Sequence, residues 1–126
     1  MMFDTDIVIW ALRGKLWAQR LLVSADSREI STATWLELIE GVRNKRELAH
    51  LRTMLTELDM QVVSLSEAIG IRAADLLTRH VLSDGLDSLD AIIAATAMER
   101  GSVLATGNAK HYRAIAGLRV ERHVDE

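Results

Sequence analysis

The chain alternates short β-branched segments with longer segments that repeat apolar residues at helical spacing, and this alternation limits its fold more than any other feature. A connection between parallel strands crosses one face of the sheet, usually as a helix. The pattern therefore predicts an α/β fold with a mainly parallel central sheet and helices on both faces. Strands are predicted over 2–10, 28–32, 60–65, 102–106 and 118–121, and helices over 17–25, 33–41, 44–58, 67–82 and 86–98.

Length and composition indicate one ordinary globular domain spanning residues 1–126. No apolar run is long enough to cross a bilayer, and no basic segment precedes an apolar one at the N-terminus, so we expect a cytoplasmic protein without a membrane partner. The net charge of −3 argues against nucleic-acid binding through bulk positive charge but permits a local basic rim. With no cysteine, any metal would be bound by carboxylates or histidines, and oxygen ligands favour Mg²⁺ or Mn²⁺.

Two acids interrupt the apolar opening segment. Asp4 and Asp6 stand two residues apart, which on a strand end would point both carboxylates to the same side. An unpaired buried carboxylate is costly, so such a pair needs a basic side chain or a metal ion. The simpler alternative is one solvent-facing aspartate and one aspartate that caps a following helix.

Further polar side chains follow the other predicted strands. Glu37 lies in the helix after the second strand, Asp90 near the start of the most apolar helix, and Thr106 at the end of the fourth strand. Ligands of open parallel sheets bind beyond the carboxyl ends of the strands, so these groups and Asp4 should lie at one edge. Asp87, one turn before Asp90, either faces the same way or is a stabilising charge at the helix start.

Carboxylates within a few ångströms of one another raise each other's pKa unless a cation neutralises them. A divalent ion would do so, and it would also lower the pKa of water and polarise a phosphoryl oxygen. Phosphodiester hydrolysis is the chemistry that needs this arrangement.

Four segments, in order along nearly the whole chain, resemble the PIN domain family and within it the VapC-type toxins of toxin–antitoxin pairs. Residues 3–7 resemble the family's opening L-D-T-[ND]-[IV], residues 37–41 its E-L-x-x-G, and residues 90–97 its D-A-x-I-A-A-x-A. Residues 104–112 resemble the closing segment V-T-x-[ND]-x-[KR]-[DH]-[FY]. The resemblance implies a three-layer PIN-like fold.

The resemblance also implies a function, a site and partners. The chain would be a Mg²⁺-dependent ribonuclease, with Mn²⁺ as a possible substitute, and the toxin of a VapBC-type pair that binds RNA and a cognate antitoxin and forms a homodimer. Asp4, Glu37 and Asp90 would form the catalytic acidic pocket. Asp4 and Asp90 would contact the metal, Glu37 would be a further ligand or orient water, and the Thr106 hydroxyl would orient a carboxylate.

The sequence departs from the fullest family pattern where a fourth acid often stands. Asn108 and His111 occupy those positions, which favours one resident metal ion rather than two. Asp6 or Asp87 could supply the negative charge of the absent fourth acid. His111 is interpreted as a surface or packing residue in preference to a phosphate contact.

Basic side chains in loops and at helix starts could form a rim that binds RNA phosphates, although each alone is typical of a solvated charge. An indole could stack on a base, at Trp10 or Trp35, although aromatic residues beside strands usually belong to the core. The basic residues are Arg13, Lys15, Arg43, Lys45, Arg46, Lys110 and Arg113.

Two other classes of protein are alternatives for this sequence. A dinucleotide-binding α/β domain is disfavoured because no glycine precedes Gly14, so the first strand–helix turn cannot cradle a phosphate. A non-catalytic PIN-like interaction module with a degenerate metal site remains open because of Asn108 and His111.

Overall fold

The computed structural model describes residues 1–125, which form a five-stranded parallel sheet with helices on both faces. The strand order is β3-β2-β1-β4-β5, so the first strand lies at the centre. The strands are β1 (Met2–Phe3), β2 (Arg28–Ser31), β3 (Met60–Val63), β4 (Leu104–Thr106) and β5 (Val120–Arg122). The helices are α1 (Thr5–Leu12), α2 (Leu16–Ser24), α3 (Thr32–Glu40), α4 (Lys45–Glu57), α5 (Glu67–Asp84) and α6 (Ser88–Arg100).

The predicted α/β class and parallel sheet are confirmed, and the layers follow from two apolar clusters. One cluster surrounds α6, whose Ile93, Ala94 and Ala95 are buried, and includes residues of α5. The other lies around α1 and includes Ile7 and Val8, both with no exposed surface. The sheet is therefore the middle of three layers.

The predicted first strand, 2–10, is wrong beyond Phe3. The chain leaves the sheet at Asp4, whose carboxylate accepts a hydrogen bond from the Thr5 backbone N–H and begins α1. Ile7 and Val8 are β-branched residues, which favour strands, but burial against the core offsets their weak helix propensity. Asp4 and Asp6 are thus a helix cap and a first-turn residue, not two positions on one side of a strand.

Most other helix starts are set by side-chain caps. The side chains of Ser31, Asn44, Ser66 and Asp87 each accept a hydrogen bond from the backbone N–H three residues later. Because these caps fix where α3, α4, α5 and α6 begin, they also fix which side chains project from the carboxyl edge of the sheet. Within residues 1–125, no helix has the length and hydropathy needed to span a membrane.

A polar cluster at the opposite, amino edge of the sheet ties β2 to the end of α6. Glu29 is 8% exposed and accepts hydrogen bonds from Arg100 Nε at 2.7 Å and Ser102 Oγ at 2.6 Å. Removing the carboxylate would leave both donors without this partner and would open space beside the sheet.

We therefore expect Glu29→Ala to lower the free energy of unfolding by about 1.5–3 kcal/mol, as for hydrogen bonds to charged groups. The matched control is Glu99→Ala, which breaks the exposed ion pair of Glu99 with Arg72 and should cost no more than about 1 kcal/mol. Urea unfolding of the three proteins measures both values. Equal losses in the two variants would contradict a stabilising role for the Glu29 cluster.

Candidate functional site

Asp4 stands where the central strand β1 ends and α1 begins, and its carboxylate is held from several sides. Oδ1 accepts from the Thr5 backbone N–H at 2.8 Å, and Oδ2 accepts from Thr106 Oγ1 at 2.7 Å and from the Tyr112 hydroxyl at 3.2 Å. The residue is buried at 8% exposure. Its side chain is therefore fixed by contacts from its own helix start, from β4 and from the segment after β4.

Asp90, in the first turn of α6, is brought to the same place. The Tyr112 hydroxyl lies 3.1 Å from Asp90 Oδ1 and thus bridges this carboxylate to that of Asp4. His111 Nδ1 lies 3.2 Å from Asp90 Oδ2. The carboxylates of Asp4 and Asp90 therefore face a common hydroxyl across the carboxyl edge of the sheet.

Glu37, on α3, joins the cluster through Thr5. The Thr5 hydroxyl lies 2.9 Å from Glu37 Oε1 and 3.0 Å from Thr34 Oγ1, so Glu37 is anchored to the first turn of α1 beside Asp4. The structure thus brings together Asp4, Glu37 and Asp90, the three acids that the sequence selected.

The pKa of each of these three carboxyl groups is raised. Burial is the largest cause in every case. Neighbouring negative charges raise these pKa values further. The charge of Asp90 raises the pKa of Asp4, and the charge of Asp4 raises the pKa of Glu37. The charge of Asp87 raises the pKa of Asp90. Hydrogen bonds from Thr106, Thr5 and Tyr112 act in the opposite direction without cancelling the effect. The site concentrates negative charge that its own hydrogen bonds do not offset.

Asp6 and Asp87, the two proposed sources of extra charge, both accept hydrogen bonds from the backbone. Asp6 Oδ2 accepts from the Gly107 backbone N–H at 3.0 Å, and burial and the charge of Asp4 raise its pKa to about 6. A Cβ on residue 107 would lie 2.8 Å from Asp6 Oδ2, so a larger residue there would displace this carboxylate. Asp87 is exposed and caps α6 by accepting from the Asp90 backbone N–H, which matches the simpler interpretation of its position.

Two contributors, Tyr112 and Thr5, are absent from the sequence-based prediction of the site. Tyr112 was given no role, although it is the chain's one tyrosine and ends the closing segment of the resemblance. Thr5 was not singled out, and its position between two aspartates was the available signal. His111, which the sequence analysis interprets as a surface or packing residue, is partly exposed and lies against Asp90. Asn108 contributes its backbone N–H to Thr106 Oγ1 at 3.0 Å, and this bond helps to orient the threonine hydroxyl.

The raised pKa values predict how the metal-free protein responds to pH. An acid whose pKa is higher in the folded than in the unfolded state lowers the free energy of unfolding as pH rises between the two values, because the folded state binds more protons. For Asp6 this window runs from 3.8 to about 6. Its burial and the charge of Asp4 cause the shift.

We expect the melting temperature in chelator to fall by several degrees between the lower and upper ends of that window. Calorimetric melts at closely spaced pH values measure the slope. Asp6→Asn, which keeps an oxygen to accept from Gly107, should flatten it. A melting temperature that rises steadily through the window in both proteins would contradict the assigned shifts.

The oxygen donors suit a hard divalent ion. The Tyr112 hydroxyl has one proton and faces two carboxylates, so it can satisfy only one of them at a time. Among residues 1–125, no three Asp, Glu or His side chains are grouped closely enough to enclose a metal by themselves. Mg²⁺ does not need such a cage, since it usually binds one or two carboxylates and completes its octahedron with water and phosphate oxygens. Asp4 and Asp90 are the candidate carboxylates for such a site.

Comparison with known proteins places the chain in a family. The PIN domain model matches residues 1–117, and the chain belongs to the PIN domain family. The comparison with curated proteins gives no match.

Solved structures extend this assignment, and the predicted PIN-like fold and VapC-type resemblance are confirmed. A chain of a toxin–antitoxin complex from Klebsiella pneumoniae is 29% identical, with a TM-score of 0.79 and 93% of each chain covered. A chain of VapBC-1 from nontypeable Haemophilus influenzae is 27% identical, with a TM-score of 0.76 and 96% of each chain covered. A chain of DNA-bound VapBC from Salmonella typhimurium is 25% identical, with a TM-score of 0.78 and 96% of each chain covered.

Proposed function

We propose that this protein is a divalent-metal-dependent ribonuclease and the toxin of a VapBC-type toxin–antitoxin pair. The observation that carries the proposal is the Tyr112 hydroxyl within hydrogen-bonding distance of both Asp4 and Asp90 at the carboxyl edge of the sheet. Two carboxylates held this closely by one neutral donor are an unfavourable arrangement for a purely structural purpose. The arrangement is reasonable if a cation joins them during function.

Asp4 and Asp90 would hold Mg²⁺ or Mn²⁺. When bound, the ion supplies water of lowered pKa and offsets the charge that builds on the phosphate in the transition state. Thr106 and the Thr5 backbone fix the Asp4 carboxylate, while His111 and Tyr112 fix that of Asp90. These contacts hold the ligand oxygens in place before the ion arrives.

Glu37 orients the attacking water in this proposal. It is less buried than Asp4, and its Oε1 is held by Thr5 while Oε2 remains available to accept a proton or a hydrogen bond. Its raised pKa makes it a stronger base than an ordinary glutamate.

A groove of about 820 Å³ leads away from Glu37. Its lining includes Arg13, Arg43 and Arg46, three of the basic residues predicted to form a rim. Arg43 is partly neutralised by Glu47 at 2.8 Å. In this proposal these side chains bind RNA phosphates without reading sequence, so affinity should fall as salt rises.

An antitoxin partner is supported by the three complexes described above. A homodimer is supported by α5, which exposes Ile71, Val81 and Leu82, the last at 97% exposure. Exposed apolar side chains along one helix are a feature of protein–protein contact surfaces.

Calorimetric titration of Mn²⁺ into the metal-free protein tests the metal site and separates the nuclease from a non-catalytic module with the same fold. We expect saturable binding that Asp4→Asn weakens at least about tenfold, because even residues that support metal ligands contribute that much. Asparagine keeps the oxygen that caps α1, so the fold should survive.

Asp26→Asn is the matched control, since it removes an exposed charge before β2 at the other edge of the sheet. Its affinity for Mn²⁺ should equal that of the wild type. Absence of saturable binding in the wild type would favour the non-catalytic module.

A further inference from the structure

An exposed indole stands near the end of α1, the helix that Asp4 begins. Trp10 is 37% exposed, although tryptophan side chains are highly buried on average. Its neighbours Ile9 and Ala11 pack in the apolar cluster around α1, so the core fixes the turn of helix that carries the indole. Trp10 follows Asp4 by six residues. That separation corresponds to about 9 Å along the axis of an α-helix.

The turn after α1 brings two basic residues back to this indole. The backbone N–H groups of Arg13 and Lys15 donate to the carbonyl oxygens of Ile9 and Trp10, each at 3.0 Å. Between them, Gly14 has a φ of 86°, a left-handed conformation that favours glycine. The guanidinium of Arg13 and the ammonium of Lys15 each lie over the Trp10 ring, 5.8 Å from its centre. The backbone thus gathers two cations around one exposed aromatic ring.

Both cations are available to an anionic ligand. Among residues 1–125, neither Arg13 nor Lys15 forms an ion pair with a carboxylate. Arg43 in the basic groove, by contrast, is paired with Glu47. The cations lie farther from the ring than van der Waals contact, which is about 3.5–4.0 Å, and cation–π attraction is weak at exposed sites. They can therefore turn to phosphates and leave the ring to another partner.

Arg13 joins this indole to the groove that leads away from Glu37. Its side chain lines that groove together with Arg46, and its guanidinium also lies over Trp10. A strand whose phosphates follow the groove would therefore reach the exposed indole. Proteins that bind single-stranded nucleic acid combine a basic groove that follows the backbone with aromatic rings on which bases stack.

We propose that Trp10, Arg13 and Lys15 form a stacking platform for one base of the single-stranded RNA substrate. The Trp10 indole stacks on the base, and the Arg13 and Lys15 side chains bind neighbouring phosphates. Every base has a planar face, so the platform strengthens binding without selecting sequence. This inference rests on the proposed function for the identity of the ligand as RNA.

The test measures binding to the full chain by fluorescence anisotropy, in chelator and at low salt. One probe is a short labelled oligoadenylate, and the other is an abasic ribose–phosphate oligomer of equal length. The wild type should bind the oligoadenylate at least about fivefold more tightly than the abasic oligomer, because each base stacked on an aromatic ring contributes at least that factor. Tryptophan fluorescence should be quenched as the oligoadenylate binds.

Two substitutions at one position separate stacking from simple apolar contact. Trp10→Leu removes the ring, and should weaken the oligoadenylate about fivefold without changing the affinity of the abasic oligomer. Trp10→Phe is the matched control, because it keeps a ring for stacking and should retain most of the preference for bases. Lys15→Gln should weaken both probes alike and lower the slope of affinity against salt by about one.

Circular dichroism melts establish that each variant is folded, as expected for changes at exposed side chains. Equal affinity of the wild type for the two probes would refute the platform. An equal preference for the oligoadenylate in Trp10→Leu and Trp10→Phe would refute it as well, since stacking needs the ring.

Cleavage of a long RNA in Mg²⁺ separates this inference from the proposed function. Cleavage that Trp10→Leu slows through a raised KM, with kcat unchanged, supports both. Metal-dependent cleavage with the same KM in Trp10→Leu and Trp10→Phe overturns the platform and leaves the nuclease standing. Base-dependent binding that needs the Trp10 ring, without metal-dependent cleavage, supports the platform and overturns the nuclease.

Discussion

Asp90→Asn should reduce RNA cleavage in Mg²⁺ at least about 100-fold, the size of effect seen when a group that stabilises transition-state charge is removed. Asparagine has the shape of aspartate and can still accept from Tyr112, but it carries no charge to hold a divalent ion. Initial rates on a labelled single-stranded RNA, at saturating Mg²⁺ and fixed salt, measure the change. Loss of rate with an unchanged KM would place the effect in the chemical step.

Asp87→Asn is the matched control because it makes the same chemical change on the same helix, three residues earlier. Asp87 is exposed, and asparagine caps a helix as well as aspartate does. Its cleavage rate should stay within about threefold of the wild type, the usual size of an exposed charge effect near a helix start. Equal losses in the two variants would mean that charge near the start of α6 matters in general and that Asp90 has no special role.

Thermal melts of the same two variants show whether Asp90 is retained for function or for folding. In chelator, Asp90→Asn should melt at the same temperature as the wild type or higher, because neutralising one carboxylate relieves repulsion within the cluster. Mg²⁺ should raise the melting temperature of the wild type more than that of Asp90→Asn, since an ion that binds only the folded site stabilises it. A large drop in chelator, with equal stabilisation of both by Mg²⁺, would identify Asp90 as a structural residue.

The sheet and its carboxyl edge could be predicted because several independent sequence signals agree. Ser31 and Ser66 are residues that favour helix starts, and Gly85 and Gly101 end α5 and α6 in the left-handed conformation. Strand–helix alternation then places the ends of β1, β2 and β4 at one edge. That placement was enough to bring Asp4, Glu37 and Asp90 together without coordinates.

The first helix could not be predicted because its local sequence contradicts its structure. Ile7, Val8 and Ile9 are typical of a strand, and only tertiary burial of the α1 face makes the helix stable. The contact between the Thr106 hydroxyl and Asp4 agrees with the role that the resemblance implied for Thr106. The contact between Tyr112 and Asp4 could not be predicted, because it joins residues 108 positions apart and depends on the packed fold.

Chelation should stop RNA cleavage by the wild-type protein entirely. Neither Tyr112 nor the threonines that hold Asp4 and Glu37 can neutralise the acidic cluster, so without a cation the cluster repels a phosphodiester. The activity should therefore depend on Mg²⁺ concentration in a saturable way, and Mn²⁺ should substitute for Mg²⁺ because both accept oxygen ligands.

The most direct test of this account is one cleavage assay on a single-stranded RNA in three stages. The wild-type protein is assayed in Mg²⁺, then in excess chelator, and then after Mg²⁺ is added back, with Asp90→Asn carried through the same stages to exclude a contaminating nuclease. The account predicts cleavage in the first and third stages only, and none by the variant. Undiminished cleavage by the wild-type protein in excess chelator, with none by Asp90→Asn prepared in the same way, would contradict it.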